Sequence, residues 1–213
     1  MNRFDLLNDQ DHDVLKNISQ VQMIDGWLYL QEAVKLFKLV KDIKSERPVV
    51  CEIGVWKGKS SYVLASALKG TKGVLYCIDP FSGDGDDASK DDYQAIMRDM
   101  NKSLLENFKE TMTLYNLSEY IRIIPKLSEQ ARLNFPESKI DLLFIDGNHT
   151  YEAVKRDYDL YSPLLVSGGV IVLHDVGANH VNGPSRVMYE EIVNNSKWKN
   201  PDVVGTAGIA VKV

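Results

Sequence analysis

The chain has 213 residues, with 30 acidic and 25 basic side chains and a formal net charge of −5. This length allows one well-buried domain, and no break in composition argues for two, so we expect a single domain. The acidic balance and the lack of basic blocks disfavour nucleic acids and anionic membranes as partners. No signal peptide and no apolar run of membrane-spanning length is visible, which favours a cytoplasmic protein.

The first part of the chain predicts helices. Residues 13–24 have a short helical pattern, and residues 27–44 a stronger one, with apolar residues at helical spacing and lysines opposite. We interpret residues 1–47 as a helical cap on a main domain at 48–213. An amphipathic helix here is also compatible with a homodimer. Trp27 is a candidate for lining a substrate pocket, although burial in the core is the commoner fate of tryptophan.

After the cap, predicted strands alternate with helices. The strands occupy residues 49–53, 74–78, 121–124, 140–145 and 170–173, and two more follow within residues 202–213. This alternation predicts an α/β fold with a doubly wound, mostly parallel sheet of seven strands. The final pair departs from the alternation, so we expect one antiparallel hairpin strand at an edge. Cys51 and Cys77 fall within strands and are interpreted as buried thiols.

Polar side chains follow two of these strands directly. Asp146 ends the apolar run of one strand, with His149 close behind it, and His174 and Asp175 end another. Ligands of open α/β sheets lie outside the carboxyl ends of the strands, so we expect these residues to face one site. Helix capping or turn formation is the alternative role for Asp146 and His149.

A glycine loop joins the first strand to its helix, with the pattern Glu52-x-Gly54-x-x-x-Gly58. Glycines let the backbone approach a bulky cofactor, and Asp79, after the second strand, could accept both hydroxyls of a ribose. An NAD enzyme would use the same logic, but its G-x-G-x-x-G spacing is missing here. Turn formation alone would also explain the two glycines.

Residues 82–92 are rich in Asp and Gly and predict a flexible loop. Asp84 and Asp86 suggest calcium at first sight. The glycine and closing glutamate of an EF-hand are not at the required positions, so we reject calcium there.

These motifs resemble those of the class I S-adenosylmethionine-dependent methyltransferases, from about Pro48 onward. The glycine loop is similar to the first motif of that family, and Asp79 stands where the family has its ribose-binding acid. The later motifs are similar to those of cephalosporin-hydroxylase-like proteins and metal-dependent sugar O-methyltransferases. They comprise Asp146, Gly147, His149, Tyr151, Asp157, Gly168-Gly169 and His174-Asp175.

The resemblance implies a Rossmann-like fold and S-adenosylmethionine as methyl donor. Many relatives read adenine with an acid after the third strand, whereas this chain has Lys126-Leu127-Ser128, so we expect the Ser128 hydroxyl to contribute there. Phe81 is a candidate stacking surface for adenosine, with core packing as the alternative. The predicted cofactor-binding residues are Glu52, Gly54, Gly58, Ser60, Asp79, Phe81, Ser128 and Asp146.

The resemblance also implies a divalent cation, usually magnesium, held by Asp146, His174 and Asp175, with His149 as the catalytic base. His174 is unusual in this set, because oxygen ligands suit magnesium, whereas imidazole suits zinc, manganese or iron. Two alternatives therefore stay open: His174 could lie behind the ligands, or the site could hold no metal.

We expect a methyltransferase that acts on a hydroxyl of a small molecule, such as a sugar or another natural product. A hydroxyl attacks a sulfonium methyl poorly unless a cation lowers its pKa and a base removes its proton. Two alternatives remain at this stage. The chain could be a scaffold that binds the cofactor without catalysis, or a nucleotide-dependent oxidoreductase.

Overall fold

One seven-stranded sheet forms the centre of the computed structural model, which describes residues 9–86 and 89–213. Its strands are β1 (Val49–Ile53), β2 (Val74–Ile78), β3 (Ile121–Ile124), β4 (Ile140–Ile145), β5 (Leu165–Leu173), β6 (Trp198–Val204) and β7 (Ala207–Lys212). They lie in the order β3-β2-β1-β4-β5-β7-β6. β7 pairs antiparallel with β5 and β6, and the other pairs are parallel. The predicted Rossmann-like sheet with an antiparallel hairpin strand is thus confirmed.

The central strands are buried on both faces because helices cover both sides of the sheet. Every residue of β1 and β2 is buried, as expected of continuous apolar runs in a parallel sheet. Successive side chains alternate between two apolar clusters. Val50 and Leu142, which are paired in register, belong to one cluster, and the next pair, Cys51 and Leu143, belongs to the other.

Helices connect most of the strands. They are α1 (Asp9–Asn17), α2 (Leu30–Lys41), α3 (Lys59–Leu68), α4 (Lys90–Arg98), α5 (Leu104–Leu114), α6 (Ser128–Arg132), α7 (Tyr151–Tyr161) and α8 (Gly183–Val187). Short 3-10 turns occupy Val21–Met23, Ser118–Tyr120 and Ser162–Leu164, and a π-helical segment, Met188–Val193, continues α8. Among the described residues, no helix has the length and apolarity needed to cross a bilayer.

The N-terminal helices differ in detail from the sequence prediction. The predicted helix at 13–24 is α1 followed by a 3-10 turn, and the second helix begins at Leu30 instead of Trp27. The start is fixed by Tyr29, whose backbone N–H donates to the Glu32 carboxylate at 2.8 Å, a contact that no apolar pattern reveals. The buried face of α2 joins the main apolar cluster through Phe37 and Val40. The division into a cap and a core stays a prediction.

Candidate active site

A cleft opens at the carboxyl ends of β1, β2 and β4, with residues at the ends of all three strands in its wall. From β1 the chain continues to β2, toward one edge of the sheet, and from β4 it continues to β5, toward the other edge. Open α/β sheets bind ligands at such a switch point. The walls include Gly54, Val55, Trp56, Asp79, Pro80, Ser128, Asp146, Gly147 and Asp157.

Gly54 brings the loop after β1 against the end of β4. Its φ is +84°, and a Cβ there would lie 2.0 Å from the Asp146 carbonyl oxygen, so only glycine fits. Gly58 packs closely on a neighbouring helix, and its predicted cofactor contact stays a prediction. It begins α3, and a Cβ there would lie 2.6 Å from the Phe108 ring, which places Gly58 at the packing of α3 on α5 and outside the cleft wall.

Asp79 holds the glycine loop in shape. Its Oδ2 accepts the backbone N–H groups of Val55 at 2.7 Å and Trp56 at 3.1 Å. Its Oδ1 accepts that of Phe81 at 2.6 Å. Burial raises the pKa of Asp79, and these donors oppose the rise by stabilising the charged form. Asp79 lines the cleft, and its predicted contact with a ribose stays a prediction.

Glu52 and Ser60 lie beneath the loop, inside the protein. Glu52 is fully buried and accepts hydrogen bonds from the hydroxyls of Ser60 and of Ser61, the latter at 2.5 Å. Burial raises the pKa of Glu52 to about 8, which leaves its carboxyl largely protonated at neutral pH. Neither side chain is part of the cleft wall, and their predicted cofactor contacts stay predictions.

Phe81 and Ser128 occupy different surroundings. Phe81 is buried and packs on Phe108 with ring centroids 5.5 Å apart, away from the cleft wall. Ser128 lines the cleft, and its hydroxyl donates to the buried Asp157 carboxylate. Burial raises the pKa of Asp157 to about 6. Adenine contacts by Phe81 and Ser128 stay predictions.

Beside the cleft, the ends of β4 and β5 bring together Asp146, His149, His174 and Asp175, here called the Asp–His cluster. Asp146 Oδ1 lies 3.6 Å from His149 Nε2 and 3.2 Å from His174 Nδ1. Asp175 Oδ2 lies 3.3 Å from His149 Nε2 and 3.5 Å from His174 Nδ1. The pairing of β4 with β5, in register at Ile145 and Leu173, places the two strand ends side by side.

The electrostatics of the Asp–His cluster favour positive charge. Burial alone would lower the pKa of His149, but its close contact with Asp146 and the charges of Asp146 and Asp175 raise it to about 9. The pKa of His174 is raised well above its usual value, also against desolvation, chiefly by Asp146. Desolvation opposes the charge of Asp146 too, yet the imidazoles lower its pKa. A cation is thus stabilised at this position.

Two carboxylates behind the cluster bind the outer nitrogens of its imidazoles. His149 Nδ1 lies 2.7 Å from Asp86 Oδ2, and His174 Nε2 lies 3.2 Å from Glu32 Oε2. Neither carboxylate was predicted from the sequence. An acid between the apolar residues of α2 was the available signal for Glu32, whereas Asp86 lay in a segment predicted to be a flexible loop.

An aromatic group borders the cleft. The rings of Trp56 and Tyr93 have centroids 4.6 Å apart, and Trp27 lies 5.4 Å from Tyr93 and 6.1 Å from Trp56. Trp56 and Tyr93 line the cleft. Trp27 is 57% exposed, so of its two predicted fates, core burial is wrong and a surface position beside the pocket is observed.

A family model described as "Methyltransferase domain" matches residues 51–176. The match begins in β1 and ends just after Asp175, so it includes the glycine loop, Asp79 and the Asp–His cluster. The chain belongs to this methyltransferase family. The family resemblance drawn from the sequence motifs is therefore confirmed.

Two curated relatives match parts of this methyltransferase. Uncharacterized protein y4gI of Sinorhizobium fredii (strain NBRC 101917 / NGR234) is 34% identical over 56 residues, 26% of this chain and 6% of the relative. Uncharacterized protein R132 of Acanthamoeba polyphaga mimivirus is 34% identical over 76 residues, 33% of this chain and 34% of the relative. The chain thus spans about a third or less of these relatives.

Solved structures share the fold of this methyltransferase. The O-methyltransferase NovP has a TM-score of 0.68 and 15% identity, over 86% of this chain and 80% of NovP. TomG from Streptomyces achromogenes, an O-methyltransferase involved in tomaymycin synthesis and solved with S-adenosylmethionine, has a TM-score of 0.63 and 15% identity, over 97% and 90%. CalS11, a TDP-rhamnose 3'-O-methyltransferase, has a TM-score of 0.55 and 12% identity, over 96% and 95%. The fold is that of class I methyltransferases.

Proposed function

We propose that this methyltransferase transfers a methyl group from S-adenosylmethionine to a hydroxyl of a small molecule, assisted by a divalent cation. The observation that carries the proposal is the position of the Asp–His cluster. It lies at the ends of β4 and β5, and Asp146 belongs both to the cluster and to the wall of the cleft. A cation held there and a donor bound in the cleft would therefore be neighbours.

The cleft supplies groups suited to an adenosine. Asp79 offers a carboxylate for ribose hydroxyls, and the loop at Gly54 offers close backbone approach. Ser128 and Asp157, which pair with one another in the cleft wall, offer polar groups to a base. TomG, which has the same fold, was solved with S-adenosylmethionine, and this also supports the choice of donor.

The chain's own residues would mainly align the reactants. A divalent cation, when bound, lowers the pKa of a nearby hydroxyl and so favours its attack on the sulfonium methyl. Asp146 and Asp175 would hold that cation at the edge of the cleft. The apolar walls at Val55 and Pro80 would exclude water and keep donor and acceptor at reacting distance.

A small organic acceptor suits the aromatic group beside the cleft. Trp27, Trp56 and Tyr93 offer flat apolar surfaces on which a sugar ring or an aromatic ring can pack. TomG is involved in tomaymycin synthesis, and CalS11 is a TDP-rhamnose 3'-O-methyltransferase. We therefore place the acceptor among sugars and natural products.

A cytoplasmic location is part of the proposal. Cys51 and Cys77 are both free and buried. Proteins of oxidising compartments more often use cysteines in disulfides, so this pattern supports a reducing compartment.

Titration calorimetry with S-adenosylmethionine tests the donor, and we expect saturable binding. No binding at ligand concentrations up to roughly 1 mM would remove the donor from the proposal. Incubation with a panel of sugars and natural products, followed by mass spectrometry, tests the transfer. Activity should disappear with a chelator and in Asp175→Asn, and persist in the exposed control Asp159→Asn. Activity that survives the chelator would contradict the role of the cation.

A further inference from the structure

We infer that the Asp–His cluster binds a first-row transition-metal dication of the manganese-to-zinc series, and that His149 is one of its ligands together with Asp146 and Asp175. The inference deepens the proposed function, since this ion would be the divalent cation of that reaction. It differs from the sequence prediction in two respects. The metal is not magnesium, and the predicted base instead coordinates.

The first argument is distance. The two carboxylate oxygens and two ring nitrogens form a closed ring, in which each oxygen faces both nitrogens at 3.2 to 3.6 Å. Neighbouring ligands on one ion, with bonds of about 2.0–2.2 Å, lie roughly 3 to 3.5 Å apart. Among the described residues, ligand atoms of Asp146, His149 and Asp175 all lie within 4.8 Å of one another, and His174 is not part of this group of three. Asp146, His149 and Asp175 therefore have the spacing of ligands that share an ion.

The second argument is the state of the two facing nitrogens. Among the described residues, His149 Nε2 and His174 Nδ1 form no hydrogen bond, although both atoms are buried. Their side chains are only 9% and 3% exposed. Buried polar atoms normally have hydrogen-bond partners. A buried ring nitrogen that faces two carboxylates and forms no hydrogen bond is therefore suited to bind a metal ion.

The third argument is the set of carboxylates on the outer nitrogens. When His149 Nδ1–H donates to Asp86 and His174 Nε2–H donates to Glu32, the lone pairs of His149 Nε2 and His174 Nδ1 point into the cluster. Metal-binding imidazoles usually donate their other N–H to a carboxylate or carbonyl, which fixes the tautomer and the ring orientation. Both imidazoles here have that arrangement.

The donor set then selects the metal. Magnesium prefers six oxygen ligands and keeps several waters, whereas imidazole nitrogen suits zinc, iron, cobalt and manganese. A set of donors that includes imidazole is a poor one for magnesium. Among the described residues, no lysine or arginine forms an ion pair with Glu32, Asp146 or Asp175, so a metal ion would compete there only with the protons of the imidazoles.

The role of His149 follows from the same geometry. Its Nε2 faces Asp146 and Asp175, and its Nδ1 is held by Asp86, so both nitrogens are engaged once an ion is present. Proton removal from an acceptor would then fall to a carboxylate oxygen of the cluster or to solvent.

The full chain is first freed of metal with a chelator. Metal binding to it then tests the inference without any measurement of turnover. Zinc, cobalt and magnesium chlorides are titrated separately in a calorimeter. We expect one tight site for zinc and cobalt and an affinity for magnesium lower by at least about 100-fold, in line with the preference of imidazole donors. Equal or tighter magnesium binding would overturn the inference. S-adenosylmethionine binding, measured separately, shows whether the proposed function fails on its own.

A variant identifies the imidazole ligand. His149→Gln should weaken zinc binding by more than the roughly 10–100-fold expected for losing its outer partner, as in Asp86→Asn. His180→Gln, at an exposed histidine outside the cluster, is the matched control and should bind zinc as the parent does. Unchanged zinc affinity in His149→Gln would overturn the assignment.

X-ray absorption of the unaltered zinc protein covers the case in which a variant fails to fold. Imidazole rings scatter in a recognisable outer-shell pattern, so the spectrum reports how many are bound. We expect at least one. A spectrum with only oxygen ligands contradicts the assignment of His149 as a ligand.

Discussion

Glu52 makes the stability of the molecule depend on pH. Its pKa is raised from 4.5 to about 8 by burial, so the folded chain holds a proton that the unfolded chain releases. The contribution of Glu52 to stability is therefore fully present below about pH 4.5 and is lost as the pH rises through about 8. In Glu52→Gln, which cannot ionise, we expect the free energy of unfolding to fall less steeply over this range.

Urea unfolding at intervals between pH 5 and pH 8.5 measures the slope for the parent and for Glu52→Gln. Glu46→Gln removes an exposed carboxylate and serves as the control, with a slope like that of the parent. A parent-like slope in Glu52→Gln would show that Glu52 is not the titrating group.

Asp79 carries a second prediction at the scale of a residue. Asp79→Asn removes the charge and one of the acceptors of the loop N–H groups at Val55, Trp56 and Phe81. Hydrogen bonds to a charged group contribute about 1.5–3 kcal/mol, so we expect the affinity for S-adenosylmethionine to fall by roughly 10- to 100-fold. Calorimetric titration with S-adenosylmethionine measures it. An unchanged dissociation constant would mean that neither the loop nor the ribose depends on Asp79.

Single residues were predictable from the sequence only where they follow a strand directly. Asp146 and Asp175 adjoin apolar runs that predict strand ends, so their meeting follows from the topology of the sheet. Glu32 and Asp86 reach the same place from 142 and 63 positions away from their histidine partners. No local pattern connects residues so far apart, and their roles depend on tertiary packing.

Among the structural elements, the turn from β1 to α3 depends most on one small residue. Gly54→Ala would place a methyl group 2.0 Å from the Asp146 carbonyl oxygen and force alanine to φ +84°. We expect a loss of about 3 kcal/mol or more in the free energy of unfolding, from overpacking and from the left-handed backbone together. Denaturant unfolding measures the loss.

Gly168→Ala separates the two causes. Gly168 has φ +80°, but nothing lies within 4 Å of a Cβ there, so only the backbone penalty of about 1–2 kcal/mol applies. Equal losses in the two variants would contradict the steric account of Gly54.

Element boundaries were less predictable than the elements themselves. Strands β1 and β2 end where the apolar runs end, and their bounds were predicted correctly. The start of α2 was not, because it depends on a hydrogen bond between Tyr29 and Glu32, whose carboxylate also accepts from Thr206. β5 begins at Leu165, before the predicted start at residue 170, and its register with β4 shifts between Ile140 and Leu142.

For the whole molecule, the N-terminal helices are predicted to be indispensable. Residues of α2 fill the main apolar cluster, namely Ala33, Val34, Leu36, Phe37 and Val40. A chain of residues 48–213 would expose to water the apolar residues that α2 covers in this cluster. We expect it to lose cooperative unfolding and to bind an apolar dye. A chain of residues 9–213 keeps every described residue and is the control. Cooperative unfolding of the shorter chain would show that residues 48–213 are an independent domain.

The overall architecture was the most predictable level. Parallel strand order and right-handed crossovers follow from alternating strands and helices, and the final hairpin follows from two strands that no helix separates. The packing of the N-terminal helices could not be derived in this way. The apolar stripe of α2 predicts that one face is buried, but not which part of the sheet covers it.

The contacts of Glu32 constrain the order of events during biosynthesis. This carboxylate meets His174 and Thr206 across 142 and 174 positions. A nascent polypeptide exposes Glu32 early, but the hairpin that contains Thr206 leaves the ribosome much later. Glu32 cannot complete its set of contacts before then. Translation products that end before Thr206 would thus lack part of the hydrogen bonding that fixes Glu32 beside His174.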